Sequence, residues 1–135
     1  MNKTRWLPLL LGIGAVLEIP VGLGLLIAPS ALATLLLGAP LAGVGLVVAR
    51  LAGGGLFALG VACWFARSTP ALRASLGVAG ALLIYNIVAC VTLVLALTPG
   101  SKSYALTLSV AILHGLLAAG LLGALATREQ PGVPD

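Results

Sequence analysis

The sequence predicts an all-α fold, an antiparallel four-helix bundle that crosses a membrane, and three observations carry that prediction. The chain of 135 residues is 61% hydrophobic and 7% charged, whereas a soluble domain is about one quarter charged. So little polar surface cannot face water on every side. Four apolar runs follow one another, near Trp6 to Ala28, Leu41 to Ala66, Ala74 to Leu97 and Tyr104 to Thr127. Each reaches the roughly 20 residues needed to cross about 30 Å of hydrocarbon, and each must be helical because lipid offers unpaired backbone groups no partner. The prolines agree: Pro29, Pro40, Pro70 and Pro99 fall between the runs, where a missing N–H removes no helical hydrogen bond.

The first run follows the basic start MNKTR, and Ala-Leu-Ala at 31–33 is a weak match to a signal-peptidase site. The run is too long for a signal peptide and Glu18 interrupts it, so it is read as a span. The loop that follows, PSALATLLLGAP, has no charge. Ser30 is expected to cap a short helix over 31–37 that ends at Gly38; too short to cross, it should lie along the outer interface. Residues 128–135, REQPGVPD, form a polar, Pro-rich tail after the membrane domain of residues 1–127, and are expected to be disordered.

Basic residues set the direction. Lys3, Arg5, Arg67, Arg73 and Arg128 fall on one side of this topology and only Lys102 on the other, which predicts that both termini are cytoplasmic. Trp6, Trp64, Phe65 and Tyr104 sit near span ends, as interfacial anchors do. The net charge of +4 is thereby a matter of topology, and no nucleic-acid partner is expected. Cys63 and Cys90 lie inside apolar runs with no CxxC and no Cys/His cluster, so they read as small buried residues rather than a zinc or redox pair. No nucleotide-binding or metalloprotease motif is present, and a single histidine does not make a metal site. No catalytic set and no cofactor is predicted.

What remains is a polar layer. Arg50 lies about 14 Å from Leu41, His114 about 15 Å from Tyr104, Glu18 about 16 Å from Pro29 and Asn86 about 18 Å from Thr98. Each span thus carries one strongly polar residue near mid-depth, with Tyr85 beside Asn86. A charge at that depth is costly unless paired, and Glu18 is the only carboxylate within reach of Arg50. The expectation is a Glu18–Arg50 ion pair, with Asn86 and His114 supplying its remaining hydrogen bonds. Gly14, Glu18 and Gly22 share one helical stripe, as do Gly45, Ala49 and Gly53 beside Arg50, and small residues let helices approach closely. Pro20 is expected to kink the first span. Glu18, Arg50, Asn86, His114 and Tyr85 are the candidate ligand-binding residues, for a small polar or amphiphilic ligand. Two other readings stay open: a structural or assembly subunit whose polar residues only fix helix packing, and a membrane enzyme using Glu18 and His114 as an acid–base couple.

The run APSALATLLLG followed by VVARLAGGGLFALGVACW resembles the small four-helix bacterial membrane proteins of the DoxX-like group. Their second span carries an R-x-x-G-x-x-x-L-x-L-G pattern, matched here by Arg50, Gly53, Leu59 and Gly60, with Phe57 in place of the first Leu. The resemblance implies a multi-pass protein of the bacterial inner membrane with a quinone-linked or accessory redox role; whether the chain acts alone, as a homo-oligomer or in a larger membrane complex stays open in the sequence. The chain is also similar to small multidrug resistance transporters, which carry a glutamate near the middle of the first helix, as Glu18 is here. It departs from them in its one-sided loop charge and in the arginine expected beside that glutamate.

Overall fold

A computed structural model describes residues 6–69 and 73–127. It holds five helices: α1 (Trp6–Ile27), α2 (Pro29–Leu37), α3 (Val44–Ala66), α4 (Arg73–Leu95) and α5 (Tyr104–Ala126). The described residues contain no strand. Four of the helices, all but α2, are long and apolar enough to cross a membrane. The tail at 128–135, together with Lys3, Arg5 and Pro70, lies outside the described residues.

The helix boundaries follow the sequence to within a few residues, and the departures have local causes. α1 runs unbroken through Pro20, which is exposed on its surface. α2 begins two residues before the expected position, at Pro29, where a proline lacks only an N–H that the helix would leave unpaired. The expected Ser30 cap does not form: the N-cap is Ala28, without a side-chain hydrogen bond. The Ser30 hydroxyl instead accepts the backbone N–H of Leu41 at 3.1 Å, which folds the segment after α2 back onto its start. Gly38 closes α2 as expected, with φ 78° and its N–H on the Thr34 carbonyl at 3.0 Å. α3 starts at Val44 rather than Leu41, because Gly43 takes φ 53° and interrupts the helix; the apolar residues ahead of it are not helical.

α1 packs chiefly on α3, and α4 chiefly on α5. The α1–α3 seam is built of glycine. A Cβ at Gly22 would lie 2.5 Å from the Phe57 nitrogen, and one at Gly53 would lie 2.7 Å from Leu25 Cβ and 2.8 Å from the Gly22 carbonyl oxygen. One at Gly60 would meet Ile19 Cγ1 at 2.8 Å and Glu18 Cβ at 3.2 Å. Residue numbers therefore rise along α1 as they fall along α3. Gly14 meets Leu82 of α4 in the same way, at 2.6 Å, and Gly120 of α5 meets Leu10 at 3.2 Å. Of the two glycines of the second small-residue stripe, Gly53 works across a helix interface and Gly45 faces Leu41 of its own segment.

The core gathers toward one end, around Leu7, Leu11, Cys63, Leu82 and Leu121. Cys63 is buried and Cys90 half-buried, both with free thiols. The outward faces are apolar on all four long helices: Val16 is 62% exposed, Leu51 74%, Ile84 64% and Leu116 67%. A surface of that kind suits lipid tails, and the protein is a multi-pass membrane protein by the length and hydropathy of these helices.

Candidate functional site

Glu18 stands at the edge of the core, 2% exposed, with Gly60 of α3 against its Cβ. Gly14 faces Leu82, and one helical turn beyond each of them are Glu18 and Asn86. Asn86 is fully buried. Its Nδ2 donates to the Leu82 carbonyl at 2.8 Å, and its Oδ1 lies 2.8 Å from His114 Nδ1 on α5. Because the amide donor is directed at Leu82, the histidine ring donates across the helix pair from Nδ1, which leaves Nε2 of a neutral ring as an acceptor. Tyr85 packs edge-on to the same imidazole, ring centroids 5.6 Å apart at 83°. Measured along their helices, Glu18 is about 14 Å from Ile27, Asn86 about 14 Å from Leu95 and His114 about 15 Å from Tyr104. Glu18, Tyr85, Asn86 and His114 thus form one layer.

Arg50 does not join it. The expected Glu18–Arg50 ion pair is absent: Arg50 is exposed, and its Nε donates to the Leu26 carbonyl at 3.4 Å, near the end of α1. Two facts explain the difference. With α3 starting at Val44, Arg50 is only about 9 Å along its helix. The register of the glycine seam then sets Gly60, not Arg50, against Glu18. Asn86 and His114 accordingly bond to each other rather than to an ion pair. The layer is neutral apart from whatever charge Glu18 carries.

One atom in it is unsatisfied. Glu18 Oε1 is buried without a hydrogen-bond partner among the described residues. A buried polar group left unpaired costs about 1–3 kcal/mol, and an ionised carboxylate in an apolar interior costs far more. No group of three potential metal ligands occurs among the described residues. The sequence pointed to Glu18, Asn86, His114 and Tyr85 through their depth alone. Gly60 entered the sequence reading only through the DoxX-like pattern, which does not show that its lack of a side chain lets α3 close over Glu18. Comparison with protein families, with curated proteins and with solved structures finds no match for this chain.

Proposed function

We propose that the protein is a bundle of four antiparallel spans, with both termini cytoplasmic and α2 along the outer interface. In this reading its polar layer binds a small polar or amphiphilic ligand, such as a quinone or a lipid headgroup, in the bacterial inner membrane. The observation that carries the reading is Glu18 Oε1, buried at mid-depth with no hydrogen-bond partner among the described residues. Ionisable residues inside membrane bundles are costly and tend to mark ligand or proton paths. In the ligand complex Glu18 supplies the anchoring carboxyl, a donor when protonated and an acceptor when ionised. His114 Nε2 supplies an acceptor, held in place by the Asn86 bond and the edge of Tyr85. The bundle then acts in transport or as an accessory redox component, as the DoxX-like resemblance would imply.

A structural reading has one observation in its favour: Asn86 and His114 already satisfy each other across α4 and α5. The two readings divide on Glu18. Dicyclohexylcarbodiimide, an apolar reagent, attacks protonated carboxyls within hydrocarbon, and peptide mass mapping reports whether Glu18 is modified. Under the ligand reading Glu18 is labelled, and a short-chain quinone or a single-chain phospholipid slows the labelling. Labelling that neither compound slows leaves the structural reading standing.

A further inference from the structure

A second feature lies outside the polar layer and does not depend on it. A groove of about 380 Å³ runs along the outer surface of the α1–α3 pair, walled by Pro8, Gly12, Val16 and Leu17 of α1 and by Trp64 and Arg67. A hollow of about 250 Å³ adjoins it, bounded by Ile19, Pro20, Val16 and Trp64. They share Val16 and Trp64, so together they extend along α1 from Pro8 to Pro20, about 18 Å. That is slightly more than half of the roughly 30 Å hydrocarbon thickness. Such volumes spread over that length have the cross-section of one extended chain, not of a helix about 10–12 Å across.

The groove is apolar except at one end. There Arg67, one residue past α3, stacks its guanidinium 3.5 Å from the centroid of the Trp64 ring. Its Nε donates to the Trp64 carbonyl at 3.2 Å. The nearest atom to a Cβ built at Gly12 is Arg67 Cδ, at 3.9 Å, so Gly12 opens the floor of the groove and touches no other helix. Helix packing gives no reason for a glycine there. The stack on Trp64 fixes a planar cation at the end of the span, with its two terminal amino groups making no hydrogen bond among the described residues. A guanidinium so held suits a phosphate oxygen pair.

We propose that this groove is a binding site for an anionic glycerophospholipid, its acyl chain along Gly12, Val16 and Pro20 and its phosphate on Arg67. Charge complementarity selects this occupant: a zwitterionic lipid offers the same chain, but its choline or ethanolamine cation opposes Arg67. Trp64 makes the site measurable. In a Trp6→Phe chain, reconstituted in phosphatidylcholine vesicles, Trp64 is the only tryptophan and is quenched by lipids brominated on the acyl chain. Brominated phosphatidylglycerol should quench as a ligand about five times tighter than brominated phosphatidylcholine, the factor expected for one basic residue at the surface. Arg67→Gln should bring the two lipids level while leaving both able to quench. Gly12→Leu should reduce quenching by both, with helical content unchanged by circular dichroism; if that variant loses helix, Gly12→Ala replaces it and should show a smaller reduction. Lys102→Gln, in the α4–α5 loop, should leave the preference intact. Equal quenching by the two lipids in the parent, or a preference that survives Arg67→Gln, overturns the proposal. So does the absence of quenching by either lipid, which would mean that protein covers the groove.

Discussion

The two helix pairs of this bundle are held together by different means. Along α1 and α3 the backbones meet through Gly22, Gly53 and Gly60, at distances that leave no room for a methyl group. Between α4 and α5, among the described residues, the only glycine contact is an ordinary one, a Cβ at Gly115 lying 3.4 Å from the Cys90 sulfur, and the pair also carries the Asn86–His114 hydrogen bond. Close backbone approach marks one pair, and the other adds an interhelical hydrogen bond to its side-chain packing. In hydrocarbon, where no hydrophobic force drives helices together, close packing and interhelical hydrogen bonds are the available means. Glu18, whose Oε1 has no hydrogen-bond partner among the described residues, sits on the pair that shape already holds.

The largest effect should come from breaking the shape-held pair. Gly22→Ala and Gly53→Ala each place a methyl against the backbone or Cβ of the facing helix, and overpacking of this kind costs about 1–3 kcal/mol. Gly54→Ala and Gly55→Ala make an internal control, because a Cβ at either position meets nothing within 4 Å; they should not destabilise, and helix propensity favours them by up to about 1 kcal/mol. Unfolding in mixed detergent micelles reads all four. If the four alanines behave alike, the glycine seam is not what holds α1 to α3.

Next comes the polar contact. Asn86→Ala and His114→Ala should each destabilise, and a double-mutant cycle should give a coupling of about 0.6 kcal/mol, with about 1.7 as the upper end for hydrogen bonds in membrane bundles. A coupling near zero would place the stability of α4 on α5 in packing alone. Asn86→Leu and His114→Leu carry the functional side of the comparison. Both should remain helical and monodisperse in detergent, and both should lose quinone protection of Glu18 against carbodiimide. Loss of folding in both would favour the structural reading.

These expectations show how far the sequence could be read. The four spans are legible because an apolar run of about 20 residues has few alternatives, and the prolines mark the gaps. The layer of Glu18, Asn86 and His114 is legible because depth along a helix follows from residue count. The failure at Arg50 has the same origin as that success. Leu41 and Ala42 are apolar but not helical, since Gly43 at φ 53° delays α3 to Val44. Hydropathy does not distinguish an apolar turn from an apolar helix, and a three-residue error at the start shifts the apparent depth by about 5 Å. The register between α1 and α3 is harder still to read. The chain has 18 glycines, and only the three-dimensional contact shows that Gly60, rather than Gly54 or Gly55, meets Glu18.

A smaller effect is expected at Glu18 itself. Its Oε1 accepts nothing from the described residues, so Glu18→Gln removes no hydrogen bond at that atom and should shift stability by less than about 1 kcal/mol. The same change abolishes carbodiimide labelling. A large destabilisation would show that Glu18 has a partner in the bundle, and would count against its being kept for a ligand.

The smallest effect concerns Arg50, and it separates the observed arrangement from the ion pair that the sequence suggested. An arginine paired with a buried carboxylate is costly to remove, by about 3–5 kcal/mol, because a charge is left without its partner. Removing both partners would then restore much of the loss. Arg50 as observed is exposed, and its one hydrogen bond, to the Leu26 carbonyl, is long at 3.4 Å. Arg50→Gln should therefore cost less than about 0.5 kcal/mol, as surface substitutions do. The cycle of Arg50→Gln with Glu18→Gln should be additive to within about 0.3–0.5 kcal/mol, as for sites that share no partner. A strong negative coupling, with the double variant more stable than Arg50→Gln alone, would bring Arg50 back to Glu18. It would also require α3 to slide by more than two turns along the glycine seam, and the first casualty of that slide would be the contact of Gly22 with Gly53. Measuring the Arg50–Glu18 cycle beside the Gly22→Ala variant thus tests the register twice, once by charge and once by shape.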